Sequence, residues 1–241
     1  MKIVAVIPMK LNNRRLPQKN TKRFTGGEPL CHYILSTLLT VDTIDEVYVY
    51  CSNPDIQNFL PEGVKYLKRS ELLDQDTTSM TEVLTCFSQE VPADVYVMTH
   101  TTAPFVSARS IITGLQKVLS GEYDSAFAAK KLQDFLWSNG KPFNYELDNI
   151  PRTQDLPSLY EETSGFYIYN SDVITRLHRR IGLKPYIVEV GEIEGIDIDE
   201  PEDFEIADAV FNYHKKFSGG GITQFNIHVH VFSEANYKEA A

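Results

Sequence analysis

The stretch VAVIPMKLNNRRLPQKNTKR, Val4 to Arg23, joins an apolar run typical of a buried strand to a strongly basic loop. The run stops at Pro8, and the loop then carries six cations: Lys10, Arg14, Arg15, Lys19, Lys22 and Arg23. The whole chain, in contrast, is acidic, with a formal net charge of -10. Cations concentrated directly after the first strand of an acidic protein predict an anion site, above all for a polyphosphate. A solvated basic loop is the alternative that the charges alone leave open.

Length and composition narrow the class of protein. The 241 residues, 42% of them hydrophobic, suffice to bury the core of one domain with an appendage. The acidic balance argues against nucleic-acid and membrane-surface partners, and no apolar run reaches the roughly 20 residues of a membrane span. The N-terminus enters a strand without the pattern of a cleavable signal. Cys31, Cys51 and Cys86 are expected to be small core residues, which fits a cytoplasmic protein.

Short apolar segments alternate with segments of helical periodicity. Strands are predicted at Ile3–Ile7, Glu46–Tyr50, Asp94–Met98, Ser125–Ala129, Gly165–Tyr169 and Pro185–Glu189. Helices are predicted at Pro29–Leu39, Ser79–Ser88, Ala108–Leu119 and from Pro201 to about Lys216. This order predicts an α/β fold with a mostly parallel sheet covered by helices on both faces. Ligands of such sheets lie beyond the carboxyl ends of the strands, where the basic loop is also expected.

Two segments interrupt this order. The stretch from about residue 130 to 164 is rich in Pro, Asn, Asp and aromatic residues and is predicted to form an inserted arm. Near the C-terminus, Ser218–Gly221 (SGGG) marks the junction between a main domain, residues 1–216, and a tail, residues 217–241. Phe225–Phe232 in the tail alternates as a single edge strand does.

The second informative motif is Gly195–Asp203, GIDIDEPED. On a strand, Asp197 and Asp199 would face the same side, and two carboxylates near a strand end suit Mg²⁺, which takes one or two of them together with substrate phosphates. Helix capping is the alternative for these residues. For Glu202 and Asp203, in the first turn of the last helix, we predict capping and dipole compensation alone.

Two further polar segments follow predicted strands. Arg69 offers a planar fork for a phosphate or a base edge, and the nearby Asp76 and Thr77 are predicted to cap the next helix. Thr99–Pro104 (THTTAP) lies at the expected ligand rim, where its hydroxyls contact a ligand or form an ordinary turn; the pattern leaves both open. His228 and His230 share a face of the tail strand, but without a third ligand nearby a metal site is not favoured.

Taken together, these motifs resemble the CMP-acylneuraminate synthetases and the related 2-keto-3-deoxy-octulosonate cytidylyltransferases. The resemblance rests on a strand ending in Ile7-Pro8, on Leu16–Asn20 (LPQKN), on Arg69 with Asp76-Thr77, on Arg152–Pro157 (RTQDLP) and on Ile196–Asp203 (IDIDEPED). It covers Lys2 to about Val210. It implies a three-layer αβα nucleotide-diphospho-sugar transferase fold, Rossmann-like, whose inserted arm builds a homodimer.

The resemblance also implies an activity, the transfer of CMP from CTP to the hydroxyl of an acidic keto sugar of the sialic type, with Mg²⁺ as cofactor. It implies that Lys10, Arg14, Lys19 and Asp199 are catalytic, and that Asp197 and Asp199 bind the metal. Nucleotide contacts are expected from Asn12, Asn20, Arg69, His100 and Thr102. The resemblance places Arg152 and Gln154 near the acceptor or in the dimer contact. Of the aromatic residues, Tyr160 and Tyr167 are predicted to line the acceptor pocket, whereas Phe166 and Trp137 are predicted to be core residues.

The sequence departs from the family pattern in the phosphate loop, at His100, and at Glu200, which stands where the family has a small helix-cap residue before Pro201. Leu11, Asn12 and Asn13 replace the Gly-Gly-Ser of the phosphate loop; asparagine tolerates the left-handed backbone that glycine supplies, whereas leucine does not. His100 stands where the family has glutamine. These departures leave two alternatives: cytidylyl transfer to another acid, an octulosonate or a phosphonate, and a nucleotide-binding protein of the same fold without catalysis.

Overall fold

The computed structural model describes residues 1–217 and shows a seven-stranded sheet. Its strands are β1 (Ile3–Met9), β2 (Glu46–Cys51), β3 (Val64–Lys68), β4 (Val95–Thr99), β5 (Ser125–Leu132), β8 (Leu159–Asn170) and β9 (Pro185–Val190). They lie in the order β3-β2-β1-β4-β8-β5-β9, and only β8 runs antiparallel to its neighbours. The predicted α/β fold with a mostly parallel sheet is confirmed.

Helices cover both faces of this sheet. They are α1 (Leu30–Leu39), α2 (Met80–Glu90), α3 (Ala108–Leu119), α4 (Ser171–Thr175) and α5 (Pro201–Phe217). The alternation along β1 sends Ala5 and Ile7 toward α1 and α3, and Val4 and Val6 toward α2 and α4. A separate apolar cluster, which includes Phe24 and Phe211, packs α5 against the segment that follows the basic loop. The three layers therefore follow from strands that are apolar on both sides.

Some local predictions are wrong. Gly195–Asp199 is an extended loop and not a strand: the Ile198 amide donates to the Thr102 carbonyl (2.9 Å), so the segment is bonded to the loop after β4. Helix α2 is capped by Ser79, which exchanges hydrogen bonds with Glu82 in a capping box, and not by Asp76 or Thr77. The sequence pattern also missed β3, because its lysines interrupt the apolar run.

The arm between β5 and β8 is mostly exposed and contains only the short hairpin β6 (Trp137–Ser138) and β7 (Lys141–Pro142). Trp137 is 58% exposed, so its assignment to the core is wrong, whereas Phe166 is fully buried as predicted. Cys31 and Cys51 are buried and Cys86 is half-buried, all three as free thiols. Both the tail after residue 217 and its histidines lie outside the described residues. Across residues 1–217, no helix is long and apolar enough to cross a membrane.

Candidate functional site

A pocket of about 300 Å³ opens at the carboxyl ends of β1 and β4. The basic loop forms one side, and the loop from Gly195 to Glu200 forms the other. Eight residues that the sequence singled out line it: Lys10, Lys19, Asn20, Arg69, His100, Thr102, Asp197 and Asp199. They come together from distant parts of the chain because neighbouring parallel strands end at the same edge of the sheet.

A buried asparagine holds the basic loop in place. Asn20 is 3% exposed; its amide nitrogen donates to the Lys10 carbonyl (2.8 Å), and its amide oxygen accepts from the Thr101 hydroxyl (2.5 Å). The side chain thus ties the loop to itself and to the segment after β4. A short 3-10 turn, Lys19–Thr21, follows Gln18, the one residue of this loop with a positive φ (56°). The loop keeps a defined path through these bonds although its glycines are missing.

Two carboxylates face the loop and differ in their partners. Asp199 accepts from Lys19 (3.0 Å) and pairs with Arg15 (2.9 Å). Burial disfavours its charge, but Lys19 and Arg15 outweigh this effect and lower the pKa of Asp199 below its usual value. In contrast, Oδ1 of Asp197 is buried and has no hydrogen-bond partner among the described residues.

The capping role belongs to a third carboxylate. Oδ2 of Asp203 accepts from the backbone amides of Asp199 (3.0 Å) and Glu200 (2.8 Å), at the start of α5. Asp203 therefore caps the helix as predicted, which leaves the side chains of Asp197 and Asp199 directed at the pocket.

These two carboxylates fit a hard divalent cation. The described residues contain no group of three or more His, Cys, Asp or Glu side chains placed to hold a metal. Mg²⁺ does not need such a cage, because it binds proteins through one or two carboxylates and completes its shell with substrate phosphates and water. The unpartnered oxygen of Asp197, beside Asp199, is the donor set that this mode of binding uses.

Arg69 is a buried residue that lines the pocket. It is 4% exposed, and its guanidinium pairs with Asp74, which also accepts from the Ser52 hydroxyl (2.6 Å). Nε of Arg69 is buried without a partner among the described residues. Asp74 thus holds the guanidinium through Nη2, while the adjacent Nε–H donor has no partner among the described residues.

Asp76 forms ion pairs with two cations of the basic loop. Its carboxylate pairs with Lys10 (3.3 Å) and with Arg14 (2.6 Å), whose side chain is otherwise exposed at the rim. The sequence analysis missed this role of Asp76, as it missed those of Asp74, Arg15 and Thr101. These pairings join residues up to 185 positions apart, as in the bond from Arg15 to Glu200, and no local pattern encodes them.

His100 is half-buried at the pocket wall. Burial, together with the positive charge of Arg180, lowers its pKa to about 4. The imidazole is therefore neutral at physiological pH, and it can both donate and accept a hydrogen bond.

The remaining predicted residues do not line this pocket. Asn12 lines a neighbouring pocket on the other side of the basic loop. Arg152 and Gln154 lie on the arm, where Arg152 pairs with Asp155 (2.7 Å). Tyr160 is 42% exposed on β8, whereas Tyr167 is buried and its hydroxyl donates to Glu162 (2.5 Å). Within one chain, the acceptor residues predicted from the resemblance are thus separated from the charged pocket.

Comparison with protein families yields one match that covers most of the chain: the family model described as Cytidylyltransferase matches residues 4–228. Among curated proteins, N-acylneuraminate cytidylyltransferase B of Danio rerio is 26% identical over 214 residues, 85% of this chain, which spans only 50% of that relative's length. Pseudaminic acid cytidylyltransferase of Campylobacter jejuni serotype O:2 is 24% identical over 234 residues, covering 88% of this chain and 97% of the relative.

Solved structures share the fold. The CMP:2-keto-3-deoxy-manno-octonic acid synthetase complexed with CTP superposes with a TM-score of 0.68 at 21% identity, over 89% of this chain and 100% of that one. A 4-diphosphocytidyl-2C-methyl-D-erythritol synthase from Anaerococcus prevotii gives a TM-score of 0.63 at 15% identity, over 88% and 96%. These likenesses establish the three-layer nucleotidyltransferase fold.

Proposed function

The chain belongs to the cytidylyltransferase family of nucleotidyltransferases, and from that premise we propose that it transfers CMP from CTP to a hydroxyl of an acidic keto sugar of the sialic type. The observation that carries this proposal is the pocket that sets Lys10, Lys19 and Arg69 against Asp197 and Asp199. Cations on one wall and carboxylates on the other complement a metal–triphosphate complex, which explains both clusters together.

The reaction follows from positioning and charge neutralisation. The acceptor hydroxyl oxygen attacks the α-phosphorus of CTP, the bond from that phosphorus to the oxygen bridging to the β-phosphate breaks, and pyrophosphate leaves with that oxygen. The hydroxyl proton passes to solvent. Lys10, Lys19 and, at the rim, Arg14 stabilise the negative charge that develops on the leaving pyrophosphate.

Asp197 and Asp199 are the residues that hold Mg²⁺ in this proposal. When bound, the ion neutralises phosphate charge and lowers the pKa of a hydroxyl beside it. Lys19 and Arg15 already compensate Asp199, whereas Asp197, which pairs with no cation among residues 1–216, supplies the stronger attraction for a metal ion.

The acid acceptor is supported by the names of the relatives, which specify N-acylneuraminate and pseudaminic acid. An octulosonate or a phosphonate acceptor is the alternative within the same chemistry. A homodimer is supported by apolar side chains exposed on the arm: Phe135, Trp137, Phe143, Leu147 and Ile150. Light scattering on the purified protein measures the oligomeric state directly. The cytoplasmic location stays a prediction.

Pyrophosphate release tests the proposed function. We expect release from CTP, but not from ATP, GTP or UTP, with at least one of N-acetylneuraminate, pseudaminic acid and 2-keto-3-deoxyoctulosonate, and a CMP-sugar detected by mass spectrometry. The neutral sugar N-acetylmannosamine is the matched control and should give none. Tight CTP binding without release for any sugar acid or phosphonate would instead identify the protein as a nucleotide-binding relative without catalysis.

A further inference from the structure

A second pocket, of about 500 Å³, adjoins the charged pocket and contains two arginines that the sequence analysis did not single out. Its lining is Met80, Thr81, Arg179, Arg180, Ile181 and Gly182. Met80 also lines the charged pocket, so one side chain forms the wall between the two spaces. A ligand that extends past Met80 from the nucleotide phosphates would reach the arginines.

The turn that carries the arginines is anchored to the core. The amide of Gly182 donates to the Ser125 hydroxyl (2.8 Å), and the amide of Leu183 donates to the Asp124 carboxylate (2.6 Å). A Cβ on Gly182 would collide with that carboxylate, so this position requires glycine. His178, just before the arginines, has a positive φ of 51°, a conformation that costs free energy and is found preferentially at functional sites.

The two arginines have different partners. Arg180 donates to Glu162 (3.0 Å) and lies over the ring of Tyr167, 3.9 Å from its centre, so its direction is fixed. Burial and, after it, the charge of Arg180 lower the pKa of His100, which lines the charged pocket. Arg179 is exposed and forms no ion pair with any residue from 1 to 216. Glu162 compensates one arginine, and the pocket retains the charge of the other.

The remaining wall is the first turn of α2, an 11-residue helix. Met80 and Thr81 occupy this turn, whose backbone amides carry the positive end of the helix dipole. Two arginines, one of them without an ion pair among residues 1–216, lie beside a helix N-terminus in this open pocket, and they favour a planar oxyanion such as a carboxylate.

We propose that Arg179 and Arg180 bind the carboxylate of the acceptor acid and so make this enzyme selective for acids over neutral sugars. This inference rests on the proposed function and gives it an acceptor subsite. Arg179 supplies the uncompensated charge, and Arg180, held by Glu162 and Tyr167, orients the carboxylate. The subsite lies within the same chain, whereas Arg152, which the resemblance placed near the acceptor or in the dimer contact, is paired with Asp155 on the arm.

A binding experiment with matched ligands and variants tests this subsite. The protein is saturated with CMP, which permits no turnover, and titrated calorimetrically with N-acetylneuraminate, pseudaminic acid, 2-keto-3-deoxyoctulosonate and their methyl esters. The variants are Arg179→Gln and Arg179→Lys. The control is Arg176→Gln, an exposed arginine of the same turn that pairs with Asp172 and does not line the pocket.

We expect Arg179→Gln to weaken binding of the preferred acid about 10-fold or more, equivalent to roughly 1.4 kcal/mol, with partial rescue in Arg179→Lys and no change in Arg176→Gln. The methyl ester should bind weakly and equally to the wild type and to Arg179→Gln, since it lacks the charge. In turnover assays the KM for the acid should rise, while the KM for CTP stays constant.

Three results would overturn the proposal: equal acid affinity in the wild type and Arg179→Gln, an ester that binds as tightly as its acid, or no acid bound by CMP-loaded protein. Failure of the proposed function has a different signature, because it would appear in the wild type as absent CMP or CTP binding, or as CTP binding without pyrophosphate release for any acid. In that event the same titrations on unloaded protein still decide whether Arg179 binds a carboxylate.

Discussion

The two ends of the parallel sheet carry polar groups that are used in opposite ways. At the amino end the carboxylates are satisfied: Asp45 accepts from the Ile3 amide (2.7 Å), and Asp94 accepts from the Lys2 amide (2.6 Å). Glu46 lies between Lys2 and Lys65 and pairs with both. These contacts align the starts of neighbouring strands and serve stability.

At the carboxyl end polar atoms are buried and left without partners. Five buried side-chain atoms of the described residues lack a hydrogen bond, and four belong to the pocket or to the strand end beneath it: Asn13 Oδ1, Arg69 Nε, Thr99 Oγ1 and Asp197 Oδ1. Each such atom costs about 1–3 kcal/mol of stability. The contrast teaches that this fold gives up stability at one edge of its sheet in order to bind ligands there.

The largest expected effect is the loss of activity on substitution of Asp197, at the carboxyl end of the sheet. The variant Asp197→Asn removes a half-buried carboxylate that forms no ion pair with any residue from 1 to 216, so we expect pyrophosphate release to fall about 10²–10³-fold while the free energy of unfolding is unchanged or higher. The assay and a urea titration measure the two quantities. Asp172→Asn, at a surface ion pair, is the control and should change neither. Activity within threefold of the wild type would contradict the role of Asp197.

A smaller effect is expected from Asn20, a buried member of the pocket whose amide nitrogen and oxygen both have protein partners. Asn20→Ala leaves the Lys10 carbonyl and the Thr101 hydroxyl without their partner, which should lower the free energy of unfolding by about 1–3 kcal/mol and raise the KM for CTP. Thr101→Val removes only one of the two bonds and should lie between the wild type and Asn20→Ala. An unchanged KM in Asn20→Ala would show that the loop keeps its path without this bridge.

The smallest expected effect is on the pH dependence of stability and comes from Glu46, at the amino end of the sheet. Hydrogen bonds from Lys2 and Lys65 lower the pKa of Glu46 to about 2, from 4.5. Because the folded pKa is depressed, the stabilisation is complete above pH 4.5 and is lost as the pH falls toward 2. Glu46→Gln should therefore flatten the decline of the free energy of unfolding over that range, by less than about 1 kcal/mol at this partly exposed site, and so make Tm less dependent on pH, without changing the KM for CTP. Parallel Tm curves for both proteins would contradict this assignment.

The sequence predicted the site residues correctly where they directly follow strands of the core. β1 and α3 are recognisable from apolar periodicity. The residues that follow the strands come together because neighbouring parallel strands end at the same edge of the sheet. It failed where the outcome depends on contacts between distant segments. The pairing of Asp76 with Lys10 joins residues 66 positions apart, and β3 is only half apolar because the edge of the sheet faces solvent.

The acceptor side illustrates the same limit. Tyr167 has a strand pattern that fits both a pocket wall and a core, and packing placed it in the core. Arg179 and Arg180 read as ordinary surface cations, because their common pocket exists only once Asp124 anchors the turn that follows them.

The antiparallel strand β8 has a consequence for how this enzyme can diverge. Residues at the base of the arm, Lys130 and Lys131 on β5, pair with Glu161 and Tyr160 on β8, so the arm is the tip of a hairpin whose stem belongs to the sheet. A hairpin tip accepts insertions and deletions without shifting the register of its stem. The arm can therefore change length and sequence over evolutionary time while the charged pocket at the carboxyl ends of β1 and β4 keeps its shape.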